Sequence, residues 1–211
     1  MNKAENVIKY YVLCNKLKNI IRTGWIDWGI KKDRVESVAE HIYSAQMLAI
    51  AMKSEYNYDI NLEKVILMLA IHEIEEITIG DLTPFQISSE EKQKLGHEAV
   101  EKTLLLLLDR QKLKSIIFEF DERKTKEARF AFYCDKLDAD LQAKLYDEEG
   151  LIDLNKQENN STFDDPLVQE LLNSGMSFSQ MWLTFDQRKY NYDDNFMEVS
   201  KYAFDNKINT L

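Results

Sequence analysis

Four polar residues that helical periodicity turns inward are the ones in this sequence best suited to chemistry. His41 lies on the apolar face of its segment, and His72 with Glu73 ends a strongly apolar run. Asp135 sits among apolar residues much later in the chain. Burying a carboxylate is costly unless it is paired or bound to a metal. Two imidazoles and two carboxylates converging from three helices would form a metal site with mixed nitrogen and oxygen ligands.

Each of these residues also has an ordinary structural interpretation. A single inward histidine such as His41 is more often a hydrogen-bonded core residue than a ligand. An inward aspartate such as Asp135 usually has an arginine partner, and an acidic run at a helix end, here 73–76, is usually solvated. The metal interpretation therefore depends on the four residues occurring together.

The composition predicts that helices position these residues. The 211-residue chain has only 6 Gly and 2 Pro, with 45% hydrophobic and 30% charged residues, which favours helices over a turn-rich β architecture. Ser37 and Glu40 in "SVAE" match the capping box, so a helix is predicted over about 38–54. We therefore expect an all-α fold.

The apolar run before His72 predicts a helix over about 62–79 that ends at Gly80. One helical turn separates His72 from Glu76, so a continuous helix would place both side chains on the same side. We expect the acidic end of this helix to face the site.

Two more segments have a predicted position in the core. A helix over 125–147 carries apolar residues on most faces together with Asp135, so it is expected to be central. Another helix begins near "SSEEKQ" and runs through "TLLLLLD", and we expect its five leucines at 104–108 to be buried. The polar stretch 155–166 is the best linker candidate.

The charge and the cysteines limit the function classes. A net charge of −10 argues against binding of nucleic-acid polymers or anionic membranes, which require a basic surface. No segment approaches the ~20 apolar residues of a membrane span, and the N-terminus lacks a signal-peptide pattern. Cys14 and Cys134 have no CxxC spacing and suggest a reducing compartment. We expect a cytoplasmic protein.

The order of the motifs resembles the HD-domain metal-dependent phosphohydrolases. That family has a histidine, then a His-Asp pair on a later helix, then a distant aspartate. "ESVAEH" closing on His41, "AIHE" at 70–73 and "CDKLDADLQA" around Asp135 occur in this order at comparable spacing. The resemblance implies an HD-domain helical bundle over residues 1–150, with additional helices in 151–211 that pack on this domain or on a partner subunit.

Further motifs are similar to the small nucleotidase-like branch, which includes bacterial 5′-deoxynucleotidases. That branch has a Trp-containing loop before the first histidine, as in "RTGW" at 22–25, and equivalents of Glu76 and Asp81. One departure is Glu73, which stands where the family has aspartate. Glutamate retains the carboxylate but adds a methylene, so the helix or the rotamer must adjust for the oxygen to reach a metal.

The resemblance implies one divalent metal ion and a small phosphate ester as substrate. Mn, Co, Fe or Mg suits mixed ligands with open positions better than a closed zinc site does. The expected substrate is a nucleoside monophosphate. The implied metal ligands are His41, His72, Glu73 and Asp135.

The remaining roles follow from the same resemblance. Glu76 is expected to orient or deprotonate the attacking water, and Asp81 to handle a proton near the leaving oxygen or to contact the sugar. Arg22 is a candidate phosphate clamp, with Arg34 as the alternative, because guanidinium geometry suits oxyanions. Trp25 could stack on the base or the sugar. Packing within the loop is the alternative interpretation of Arg22 and Trp25.

Two rival functions and an oligomeric state complete the expectations. A non-catalytic HD protein could retain the metal for stability or ligand sensing, and a phosphodiesterase or nucleoside-triphosphate hydrolase could use the same site. The aromatic-rich segment 176–196 offers more apolar area than a solvated tail needs. It therefore predicts a homodimer.

Overall fold

The computed structural model describes residues 2–83 and 86–210 and confirms the all-α prediction. Within these ranges there is no β-strand, and an isolated antiparallel bridge pairs Ile21 with Ser37. A 3-10 helix, Asn15–Asn19, follows the first α-helix. The α-helices, numbered α1 to α11, are Lys3–Cys14, Thr23–Asp27, Val38–Tyr56, Leu62–Ile71, Glu76–Ile79, Ser89–Leu104, Arg110–Glu122, Lys126–Glu148, Pro166–Asn173, Phe178–Lys189 and Asp194–Asp205.

The chain forms two compact units. The first unit comprises Met1–Thr23 and Glu36–Phe132, and the second comprises Gly24–Val35 and Tyr133–Leu211. The change from one unit to the other after Phe132 falls inside α8, which is a continuous helix. The division into a domain over 1–150 and an extension over 151–211 stays a prediction.

Helix α3 begins where the sequence predicts. The Ser37 hydroxyl accepts the N–H of Glu40, and the Glu40 carboxylate accepts the N–H of Ser37 at 2.9 Å. This reciprocal pair satisfies two backbone donors that a helix start otherwise leaves unpaired. The capping box therefore fixes the start of α3, which packs on α4 and has Ala45 and Ala49 among its buried residues.

The predicted helix over 62–79 is interrupted, which corrects the expectation of one continuous helix. Helix α4 ends at Ile71, four residues form turns, and the single-turn helix α5 begins at Glu76. Nδ1 of the His72 ring is hydrogen-bonded to the carbonyl oxygen of Leu69 at 2.8 Å. That carbonyl would otherwise be the acceptor for residue 73 in the next helical turn. The interruption places His72 and Glu76 on different local elements.

The leucine run also differs from its prediction. Helix α6 ends at Leu104, which is buried, whereas Leu105 and Leu108 are exposed. Leucines after the end of the helix no longer follow the 3.6-residue repeat that would return them to the core. Only part of the run contributes to the core of the first unit.

In the second unit, aromatic residues pack around Trp28. Its ring makes edge contacts with Phe163, Phe178 and Trp182, and the Phe178 centroid lies 4.8 Å away. Aromatic pairs in this arrangement add to the stabilisation from burial alone. The aromatic-rich segment 176–196 was predicted to offer apolar surface. Its aromatic residues are instead largely buried within this unit.

No helix within residues 2–83 and 86–210 is long and apolar enough to cross a membrane.

Candidate metal centre

Two histidines from consecutive long helices lie side by side in the first unit. His41 is in the first turn of α3, is fully buried, and donates its backbone N–H to Ser37, the residue that caps the helix. His72 directly follows α4 and is 4% exposed. The centroids of the two rings are 5.6 Å apart. The capping of α3 and the end of α4 thus bring two imidazoles together.

The orientation of the His72 ring is fixed by the backbone. Donation of the Nδ1 proton to the Leu69 carbonyl, 2.8 Å away, places the lone pair on Nε2. Nε2 lies 3.5 Å from Oε1 of Glu73. A backbone carbonyl that holds the distal ring nitrogen is the usual support for a histidine that binds metal through the other nitrogen.

Glu73 completes a three-residue cluster. His41, His72 and Glu73 each offer one ligand atom, and these atoms lie within 4.8 Å of one another. The Glu73 side chain is only 13% exposed, and its Oε1 lies 3.8 Å from Nη1 of Arg22. Two buried imidazoles and one carboxylate at this spacing fit a divalent cation. The added methylene of glutamate therefore does not prevent the carboxylate from reaching the histidines.

Asp135 belongs to the second unit. It is 4% exposed on α8, and its Oδ2 lies 2.9 Å from Nζ of the neighbouring Lys136. An adjacent lysine is thus one of the charged partners of this buried aspartate. A carboxylate has two oxygens, so this contact leaves coordination capacity. The role of Asp135 as a metal ligand stays a prediction.

Glu76 lies beside the cluster as a deeply buried carboxyl group. It is the first residue of α5 and 1% exposed, and neither carboxylate oxygen has a hydrogen-bond partner within the described part of the chain. Burial raises the pKa of Glu76 to about 11, and the charges of Glu73 and Asp81 act in the same direction. The raised pKa favours the protonated form of this carboxyl group, and the nearby positive charges of Lys92 and Arg22 oppose the shift.

A lysine that the sequence did not single out faces Glu76. Nζ of Lys92 in α6 lies 3.6 Å from Oε1 of Glu76 and donates to the Leu82 carbonyl at 2.8 Å. This proximity depends on the packing of α5 against α6. No periodicity or spacing in the sequence indicates it.

Asp81 is tied to the segment that carries Arg22. It follows Gly80, whose φ of +74° is a conformation that favours glycine. The Asp81 Oδ2 atom accepts the backbone N–H of Thr23 at 2.6 Å, and the Asp81 carbonyl accepts the Thr23 hydroxyl at 2.6 Å. The loop after α5 is therefore joined to Thr23, the first residue of α2, within the first unit.

The predicted substrate residues have different environments. Arg22 in the first unit approaches Glu73. Trp25, in the second unit, is 6% exposed and packs edge-on against Tyr146 with centroids 5.3 Å apart. Arg34, also in the second unit, is exposed. Only Arg22 is brought to the histidine–glutamate cluster within one unit.

Two further polar residues of the first unit, Glu75 and His97, are partly shielded from solvent. Oε2 of Glu75 is buried, and burial raises the pKa of this carboxyl well above its usual range. His97 is half-buried, stacks on Phe118 and pairs with Asp121 at 2.8 Å. Their environments depend on tertiary packing, because Glu75 directly precedes α5, which packs on α6, and His97 lies on α6, which packs on α7.

Comparison with known families gives one match that covers most of the chain. A family model described as "HD domain" matches residues 14–169. This range contains both histidines of the cluster, Glu73 and Asp135.

Curated relatives and solved structures agree with this match. The chain is 27% identical over 200 residues to the 5′-deoxynucleotidase hdd1 of Schizosaccharomyces pombe, covering 89% of this chain and 98% of that one. It is 30% identical over 148 residues to the 5′-deoxynucleotidase HDDC2 of Bos taurus, covering 69% and 70%. A predicted metal-dependent phosphohydrolase from Magnetospirillum magnetotacticum MS-1 superposes with a TM-score of 0.65 at 19% identity, covering 96% and 94%, a likeness of fold alone.

Proposed function

Since the chain belongs to the HD-domain family, we propose that it is a metal-dependent phosphomonoesterase that acts on deoxynucleoside 5′-monophosphates. The observation that carries this proposal is the buried cluster of His41, His72 and Glu73, with Arg22 beside it. A cation and a guanidinium next to each other are suited to a phosphate dianion. The names of the relatives support the deoxynucleotide as the substrate class.

The proposed ligand set is His41, His72, Glu73 and Asp135, around one divalent ion. Asp135 is supported by its burial and by its place on α8, one turn after the buried Ala131 and hence on the same helical face. Mn, Co, Fe or Mg suits this donor set better than zinc in a closed tetrahedral site. Such an ion supplies positive charge that acidifies water and offsets charge on a phosphoryl group.

Glu76 is the proposed base. Its raised pKa reflects burial beside two other carboxylates, and a cation near Glu73 would favour the ionised form. The ionised carboxylate would then accept the proton of the attacking water. Asp81 is proposed to act near the leaving oxygen or the sugar, from a loop held by Thr23.

Arg22 is the proposed phosphate clamp. Its guanidinium lies 3.8 Å from Glu73, and its side chain is 17% exposed. A phosphate oxygen can accept from the same donors that face the carboxylate. Trp25 is proposed to contact the base or the sugar, and Arg34 remains the alternative clamp.

A panel of phosphate esters with and without metal tests the proposed reaction class. Metal-free protein should be inactive, and added Mn²⁺ or Co²⁺ should give inorganic phosphate from deoxynucleoside monophosphates. Faster turnover of diesters or nucleoside triphosphates would favour the second enzymatic function. A protein that binds the metal but hydrolyses no ester would favour the non-catalytic alternative.

A homodimer is proposed on a surface other than the one that prompted the prediction. The tail aromatics of 176–196 pack within the second unit, where Phe178 and Phe196 are fully buried. Helix α1, by contrast, has no buried residue. Its exposed apolar side chains are Val7, Ile8, Tyr11 and Val12.

Light scattering at micromolar concentration should therefore give the mass of two 24.8 kDa chains. Replacing Ile8 and Tyr11 with Ser should reduce this mass to that of one chain, because both side chains are more than half exposed and contribute little to the fold. A single-chain mass for the unmodified protein would contradict the proposal.

The cytoplasm is proposed as the compartment, supported by the two free cysteines, Cys14 and Cys134.

A further inference from the structure

The residues on either side of Arg22 are hydrogen-bonded to two other segments of the first unit, the start of α3 and the loop after α5. Before Arg22, Ile21 forms an antiparallel bridge with Ser37, and Val38 donates its N–H to the Ile20 carbonyl at 2.9 Å. The N–H of Arg22 itself donates to the Glu36 carbonyl at 3.1 Å. On this side the segment is therefore attached to the start of the helix that carries His41.

After Arg22, Thr23 makes an attachment to a different loop. Thr23 uses its backbone N–H and its hydroxyl to bond Asp81, and both distances are 2.6 Å. Asp81 ends the stretch that begins at Glu76, through a turn in which Gly80 donates its N–H to the Glu76 carbonyl at 2.9 Å. Thr23 is therefore the link between the segment of Arg22 and the loop that follows Glu76.

We infer that Thr23 is a positioning residue that holds the Arg22 guanidinium at the phosphate position, an inference that rests on the proposed function. Arg22 has a long side chain with several rotatable bonds, and ordering it costs conformational entropy. A backbone fixed at both neighbours reduces the number of directions that the side chain can take. Thr23 thereby contributes to phosphate binding without touching the substrate.

The hydroxyl and the backbone N–H of Thr23 can be separated by mutation. Thr23→Val retains the shape of the side chain and the N–H that binds the Asp81 carboxylate, but it removes the hydroxyl that donates to the Asp81 carbonyl. Thr23→Ser keeps the hydroxyl and serves as the rescue variant. Thr125→Val is the control, because the Thr125 hydroxyl donates over the same distance of 2.6 Å but to Glu119, and it also accepts the N–H of Ala128 at 3.2 Å.

Kinetics with dAMP, as a representative deoxynucleoside 5′-monophosphate, on the Co²⁺-loaded full chain is the first arm. Thr23→Val should raise KM roughly tenfold, the equivalent of one hydrogen bond, and change kcat by less than about threefold. Thr23→Ser and Thr125→Val should retain the KM of the unmodified protein. An unchanged KM in Thr23→Val, or an equal rise in Thr125→Val, would overturn the inference.

A second arm does not require turnover. Calorimetric titration of the Co²⁺-loaded proteins with inorganic phosphate should show roughly tenfold weaker binding for Thr23→Val only. If the unmodified protein binds phosphate but hydrolyses no ester, the proposed function is wrong. The positioning role of Thr23 is then tested by this titration alone. Equal phosphate affinity in all four proteins, or no binding by any of them, would overturn the positioning role.

Discussion

Replacement of Glu76 by Gln should lower turnover of a deoxynucleoside monophosphate by about 10² or more, the usual effect of losing a positioned acid or base. Glutamine has nearly the same shape but cannot accept the proton of the attacking water. The fold should persist, because burial already favours the uncharged form of Glu76 and the neutral amide replaces it at little cost. Metal content and melting temperature should remain near those of the unmodified protein.

A matched control for this change is Glu98→Gln on the exposed side of α6. It removes one carboxylate from the same protein and should leave turnover unchanged. Full activity of Glu76→Gln would show that its proposed role is wrong. A loss of metal in Glu76→Gln would show that the residue acts on the cation rather than on the water.

Replacement of His72 by Ala should abolish metal binding and turnover together. The variant loses one of the proposed ligands, and it also loses the hydrogen bond to the Leu69 carbonyl. A buried side chain truncated to Ala and an unsatisfied backbone acceptor together cost about 2–5 kcal/mol of unfolding free energy. Chemical denaturation without metal measures this loss of unfolding free energy. Metal analysis after dialysis measures the loss of metal binding.

His97→Ala is the corresponding control, because His97 pairs with Asp121 and is not part of the histidine–glutamate cluster. It should retain the metal, whatever its effect on stability. A His72→Ala protein that retains one ion per chain would contradict the proposed ligand set. Equal metal loss in both variants would indicate unfolding instead.

The parts of the fold that follow from local sequence were predictable. The capping box at Ser37 and Glu40 sets the start of α3, and low glycine and proline content favours helices throughout. The inward position of His41 follows from the same periodicity. At these residues local hydrogen bonding and burial favour the same conformation. The sequence alone therefore determines where α3 begins and that His41 points inward.

The interruption after α4 could not be predicted in this way. The apolar pattern and Gly80 both favour a continuous helix to 79, but the His72 ring takes the carbonyl of Leu69. This competition depends on where the ring is held, beside His41 on another helix. A site that brings histidines from two helices together thus overrides the local helical preference.

The contacts of Glu76 and the tail aromatics depend on tertiary packing as well. Lys92 reaches Glu76 only because α6 packs on α5. The aromatic residues at 176–196 look like an exposed surface until Trp28, far away in the sequence, is placed among them. Periodicity describes one element at a time and cannot indicate which element covers its apolar face.

Titration of the metal-free protein with Mn²⁺, with phosphate release from dAMP as the readout, tests most directly whether this chain is a metal-dependent phosphomonoesterase. The proposed set of His41, His72, Glu73 and Asp135 predicts that activity rises from near zero and reaches a plateau at one equivalent of Mn²⁺ per chain. Phosphate release at the same rate without metal, or no release at any Mn²⁺ concentration although one ion binds, would contradict it.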